Sequence, residues 1–153
     1  MSVRANDAAS IARVLDRMAI LELTARYNRA ADGTDPEELL SLFTPDAEIE
    51  MRGGTDGAKT YAGAEIASLV APCPAQRVHM TMDATIEING DTATQQCTLL
   101  LCTRSRRRHV AAWFTGRYAD ELVRTVNGWR FRRRVVEVDF ANEARMTLPG
   151  GES

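Results

Sequence analysis

Tyr27, Asp32 and His79 carry the chemistry this chain could do. Tyr27 and Asp32 close one strongly periodic segment, and His79 follows Asp32 by about 47 positions in a β-rich stretch. Only two histidines occur among the 153 residues. Histidine is the side chain whose unperturbed pKa, about 6.5, lies near neutral pH. A carboxylate held against its ring would set the tautomer and stabilise the imidazolium formed when the other nitrogen takes a proton. Strand alternation in Arg77-Val78-His79-Met80-Thr81-Met82-Asp83 places His79, Thr81 and Asp83 on one face and Val78, Met80 and Met82 on the other. The competing reading is a structural histidine satisfied by a backbone carbonyl.

Asp32 also has a plain reading as a turn residue before Gly33, although the dipole at a helix C-terminus disfavours a negative charge there. Tyr27 lies five positions earlier, about 140° away around an ideal helix. The two share a site only if the helix frays at its end or both point across the mouth of a cup. In Arg132-Arg133-Arg134 a period of two turns Arg133 away from its neighbours. At least one guanidinium must then face a concave sheet surface or a subunit interface, where it needs an anionic or carbonyl partner.

The elements that must position these residues follow from periodicity. Ile11, Val14, Leu15, Met18, Leu21, Leu23 and Tyr27 fall mainly on a three-to-four repeat, which predicts one helix over about 8–31. Asp32-Gly33 stops it, with Gly33 suited to a left-handed cap. Asp35 or Thr34 can cap a second helix, with Pro36 in its first turn and Pro45 beyond its end. The period then changes to two. A strand is expected at 47–51, a short helix at about 63–71, and strands at about 77–88, 91–104, 108–124 and 128–140. Asn89-Gly90 and Asn127-Gly128 are strong hairpin signals. Residues 1–10 read as a flexible arm, 11–142 as a single domain and 143–153 as a frayed tail. Helices followed by long hairpins predict an α+β fold in which a curved antiparallel sheet wraps the long helix and leaves a cup for a small ligand.

Composition bounds the partners. A net charge of −2 gives no electrostatic reason to expect nucleic acid or acidic membranes. The basic run Arg104-Ser105-Arg106-Arg107-Arg108-His109 lacks interleaved aromatics and reads as a solvated turn, with His109 structural. Three cysteines, Cys73, Cys97 and Cys102, suggest neither a disulfide framework nor a zinc site, and a reducing cytoplasm is the simplest setting. No apolar leader or membrane-length stretch is present, and no Walker loop, dinucleotide motif or metal spacing, so no cofactor is expected.

The order of elements resembles the SnoaL-like branch of the NTF2-like superfamily over roughly residues 10–140. The likeness rests on Ile20-Leu21-Glu22-Leu23-Thr24-Ala25-Arg26-Tyr27, Ala31-Asp32-Gly33-Thr34-Asp35, Leu42-Phe43-Thr44-Pro45-Asp46-Ala47, Arg77-Val78-His79-Met80 and Asn127-Gly128-Trp129-Arg130-Phe131. The resemblance implies an NTF2-like cone: a curved antiparallel sheet around a long N-terminal helix with two shorter helices. Within the branch the chain is most similar to bile acid 7α-dehydratase, scytalone dehydratase and hexachlorocyclohexane dehydrochlorinase. In those lyases a His–Asp dyad removes a proton from carbon and a leaving group departs. The resemblance casts His79 as the base, Asp32 as its partner, Tyr27 as the group facing the leaving group and Arg134 as the late-strand arginine steadying negative charge. The register among Arg132, Arg133 and Arg134 stays open.

The expected function is therefore a cofactor-independent dehydratase-type elimination on an apolar ring compound, steroid- or polyketide-like. Isomerase or cyclase chemistry on the same dyad is the nearest alternative, and a non-catalytic binding or scaffold role is the other. Trp113 or Phe114, with Val and Leu from neighbouring strands, would leave the outer sheet face apolar, which predicts a homodimer or homotrimer through the sheet.

Overall fold

A computed structural model describes residues 2–53, 57–70, 76–105 and 110–145. Cys73, the basic residues 106–109 and residues 146–153 lie outside the described residues. Helix α1 spans Ser2–Asp32 and α2 spans Pro36–Leu40. Strands follow at β1 (Phe43–Arg52), β2 (Lys59–Ala62), β3 (Gln76–Asn89), β4 (Thr92–Ser105), β5 (Val110–Thr125) and β6 (Gly128–Arg145), with a 3₁₀ helix at Gly63–Leu69 between β2 and β3. Among the described residues, no helix is long and apolar enough to cross a membrane.

The sheet order is β2-β1-β6-β5-β4-β3. It is mixed rather than wholly antiparallel, because β6 returns alongside β1 in the parallel sense. β3, β4, β5 and β6 alternate in direction, so β6 opposes β3; β6 lies parallel to β1 because the connection through β2 and the 3₁₀ helix starts β3 antiparallel to β1. Both Asn-Gly sites make the expected tight turns, and Gly90 and Gly128 take φ of +60° and +90°, a region that costs glycine nothing.

Helix α1 begins at Ser2, so the segment expected as an arm continues the helix. Its inward face is Ile20, Leu23, Thr24, Tyr27, Ala30 and Ala31, all buried. Ile11, Val14, Leu15 and Met18 belong to the same periodic pattern but are 55–61% exposed. A 31-residue helix is about 46 Å long, and its first turns run past the sheet. The sheet grips it from Asp16 and Arg17 onward. Arg124 pairs with both carboxylate oxygens of Asp16 at 2.7 Å, Trp129 Nε1 donates to Asp16 at 3.1 Å, and Arg17 donates to the Ile86 carbonyl at 2.7 Å.

Gly33 ends α1 differently from expectation. It is not left-handed; its N–H donates to the carbonyls of Arg29 and Ala30. A Cβ there would sit 3.3 Å from both carbonyl oxygens, so glycine is favoured by close approach. Asp35 caps α2 as expected, its Oδ1 accepting from the N–H groups of Glu37 and Glu38. The core fills the space between α1, α2 and the concave sheet face, with Leu39, Leu42, Ile49, Ile66, Leu122 and Phe131 essentially inaccessible.

Candidate active site

The last residue of α1 meets the third strand. Asp32 Oδ1 lies 2.6 Å from His79 Nδ1. The same carboxylate accepts from the His79 backbone N–H, at 3.0 Å and 3.2 Å. A carboxylate oxygen accepts, so Nδ1 carries the proton and Nε2 is left with its lone pair. One turn back, Asn28 donates to Thr81 Oγ1 at 3.0 Å, clamping α1 to the same stretch of β3. Burial pushes the His79 pKa below its ordinary 6.5; Asp32 pulls it back up, and the nearby charges of Arg77 and Arg134 push it down again. The imidazole is thus held neutral at neutral pH, the form a general base requires.

Tyr27 reaches the same histidine without any fraying of the helix. Its ring stands edge-on to His79 at a centroid distance of 6.4 Å and edge-on to Phe43, Tyr118 and Phe131 at 5.8–5.9 Å. Asp32 bonds to His79 from the end of the helix, while Tyr27 extends inward from one turn earlier. The angular separation on the helix is bridged by the length of the ring.

Arg134 is the inward-facing arginine of its triplet. A bulge breaks the strand period: Phe131 pairs with Leu122 and Arg133 with Glu121, leaving Arg132 without a facing partner. The extra residue shifts parity, so Phe131 and Arg134 both point inward while Arg132 is exposed and Arg133 pairs with Glu50. Arg134 is fully buried and donates through Nε and Nη2 to Asp120 at 2.7 and 2.8 Å. Its guanidinium lies 4.0 Å from the ring centres of Tyr27 and Tyr118 and 4.2 Å from that of Phe131. Burial works against its charge, but Asp120 outweighs this and raises its pKa. Arg134 therefore sits behind the aromatic wall and does not line the cavity in front of it.

In front of that wall lies a cavity of about 260 Å³. Tyr27 and Ala31 of α1, Arg77 and His79 of β3, and Tyr118 of β5 contribute to its lining; Met51, Leu69, Leu99, Leu101, Phe114, Val136 and Val138 make the rest apolar. Hollows of about 320 and 400 Å³ lie against the outer side of the sheet, with polar walls such as Gln96, Thr98, Arg117 and Glu137 in one and Glu87, Thr94 and Arg132 in the other. The smaller inner cavity is the one with an apolar wall and few convergent polar groups, the form a small-molecule site takes.

Several of these residues did not stand out in the sequence. Asp120 is 3% exposed and ends a chain of contacts in which Gln95 donates to it at 3.0 Å and to Thr24 at 2.8 Å. The alternation of Tyr118, Asp120 and Leu122 would have flagged an acidic group on an apolar face, which needs a cationic partner. Burial holds the Tyr118 hydroxyl well above its usual pKa. Burial also pushes the Cys97 thiol up to about 11, so it is no ready nucleophile.

A sheet cupped around one helix, with a polar pair at the wall of an apolar cavity, defines a small-molecule-binding cone of the NTF2-like class. The SnoaL-like domain profile matches residues 12–135, and the chain belongs to that family. An uncharacterized protein of Mycobacterium tuberculosis is 34% identical over 131 residues, covering 82% of this chain and 87% of its own. An NTF2-like protein with a cystatin-like fold from Novosphingobium aromaticivorans superposes with a TM-score of 0.70 at 30% identity, covering 88% of each chain. A type 2 hexachlorocyclohexane dehydrochlorinase superposes with a TM-score of 0.75 at 19% identity, covering 92% of this chain and 99% of its own, a likeness of fold.

Proposed function

We propose that this protein is a cofactor-independent lyase that uses the His79–Asp32 pair to remove a proton from a carbon of a mainly apolar ring compound. The observation that carries the reading is the 2.6 Å contact between Asp32 and His79 Nδ1 at the wall of the inner cavity. His79 Nε2 takes the proton, and the C–H electron pair becomes the new C=C bond. The bond to the leaving group breaks, and its electron pair departs with the leaving group. Asp32 stabilises the imidazolium, and the Tyr27 hydroxyl donates a proton to a departing oxygen, which leaves as water. Arg134 makes electron build-up near Tyr27 less costly from behind the ring. Each positioned acid or base contributes about 10²–10⁴-fold.

Cavity size narrows the substrate. A cavity of about 150 Å³ accommodates benzene, so about 260 Å³ suits a one- or two-ring compound better than a four-ring steroid. The dehydrochlorinase that shares this fold performs an elimination, as its name states. Isomerisation begins with the same proton transfer and differs in returning the proton to carbon.

The test is exchange of substrate protons with D₂O in panels of one- and two-ring ketones and alcohols, alongside a thermal melt. His79→Ala should melt normally and lose at least about 10²-fold in exchange. Normal melting with undiminished exchange would overturn the assignment.

A further inference from the structure

We propose that Arg77 is the specificity residue of the inner cavity and that it binds an anionic oxygen on the ring substrate, a carboxylate in its simplest form. The proposal rests on the reading of this cavity as a substrate site. Arg77 and His79 are alternate residues of β3, so their side chains leave the same face, with backbone positions about 6–7 Å apart. Both line the cavity. The guanidinium is anchored on one side, where Nη2 donates to the Leu69 carbonyl at 2.8 Å. Its Nε is buried and has no hydrogen-bond partner among the described residues.

Arg77 is the arginine of the cavity lining, and its charge is unpaired among the described residues. Arg134 has Asp120, Arg133 has Glu50, Arg124 has Asp16, and Arg117 has Asp139. Arg77 forms no ion pair among the described residues. An uncompensated cation at the wall of an apolar cavity, with an unmet N–H, is costly unless a ligand supplies the acceptor. A planar guanidinium is suited to a carboxylate, which it can engage through two parallel N–H groups. The substrate that satisfies this wall has an apolar body against Leu99, Leu101 and Val136, a reacting carbon at His79, and an anionic group one strand step away. The same cation presses His79 toward its neutral form, and a bound anion would relieve that pressure when the imidazolium forms.

Arg77 could instead serve only as a clamp holding the 3₁₀ helix through Leu69, and binding measurements separate the two roles. The probes are 2-naphthoate and 2-naphthamide, which share a two-ring body and differ in charge, titrated calorimetrically at pH 8. Wild type should bind the naphthoate at least about tenfold more tightly. Arg77→Gln should abolish that preference and leave the amide affinity within about threefold. His79→Asn should keep the preference. Should Arg77→Gln fail to fold, the Arg77 Nε–H resonance, assigned by its loss in Arg77→Lys, should move with naphthoate and not with naphthamide in the wild type. No naphthoate binding up to about 5 mM, no charge preference in the wild type, a preference surviving Arg77→Gln, or an unmoved Nε–H resonance would each overturn the proposal. None of these readouts depends on turnover, so an inactive dyad and a non-binding Arg77 give different results.

Discussion

Asp32 holds His79 twice, by the ring and by the backbone. The carboxylate takes Nδ1–H at 2.6 Å and the His79 main-chain N–H at 3.0 Å. The second bond fixes where β3 sits against the end of α1, and the first fixes how the imidazole is turned. Asp32 is therefore both a structural tie and an orienting group. Asp32→Ala should cost about 1–3 kcal/mol of stability, because a half-buried N–H loses its acceptor. Asp32→Asn keeps an acceptor for the backbone and should melt closer to wild type. In proton exchange Asp32→Asn should nevertheless lose nearly as much as His79→Ala, and the two losses should not add. Additive losses in the double variant would mean that the residues act separately.

The pH dependence follows from the direction of the His79 shift. Its folded-state pKa lies below 6.5, chiefly through burial. Protonation therefore favours the unfolded chain, and the contribution of neutral His79 to stability is fully present above pH 6.5. It is lost as pH falls through 6.5 toward the lower folded-state value. The melting temperature of wild type should drop in that window more steeply than that of His79→Asn. The exchange rate should be flat above pH 6.5 with its acid limb below it. Asp32 raises the His79 pKa, so the residual activity of Asp32→Asn should show its acid limb at still lower pH. An acid limb above 6.5 in the wild type would contradict the burial argument.

Asp120 and Arg134 form a fully buried pair whose separate members are costly. Asp120→Ala leaves the Arg134 charge with only aromatic faces around it and should destabilise by about 3–5 kcal/mol. The double variant Asp120→Leu with Arg134→Met removes both charges and should recover much of that loss in urea unfolding. A single Asp120→Ala within about 1 kcal/mol of wild type would show that the ring stack alone carries the cation.

The outer face of the sheet presents Val78, Met80 and Met82 of β3, 52%, 39% and 47% exposed, and Trp113 of β5, 39% exposed. Val78, Cys102 and Trp113 are direct cross-strand neighbours. Phe114 points the other way, into the cavity. A homodimer or homotrimer closed over this patch is the expected state. Light scattering at micromolar concentration should give a multiple of 16.9 kDa, reduced to one copy by Met80→Lys. A monomer in the wild type would refute this.

The two periods in the sequence determined the long helix and the four long strands, and the Asn-Gly dipeptides determined two of the turns, because those signals are local; β2 (Lys59–Ala62) carried no such signal, and Phe43, expected in the second helix, opens β1. The face of β3 that carries His79 was legible for the same reason. Other features were decided only when distant segments met. β6 pairs with β1 in parallel because of the direction in which the chain enters β3 and the alternation of the strands that follow, and no local window of residues contains both. Arg134 rather than Arg132 turns inward because of a bulge opposite Glu121 and Leu122, whose register depends on the partner strand. Asp120 stands out in its strand only as an acid on an apolar face, and its partner is decided when β6 brings Arg134 against it. Tyr27 and Asp32 look badly placed for one site on an ideal helix, yet both reach His79, because β3 crosses the end of α1 where a long ring and a terminal carboxylate converge.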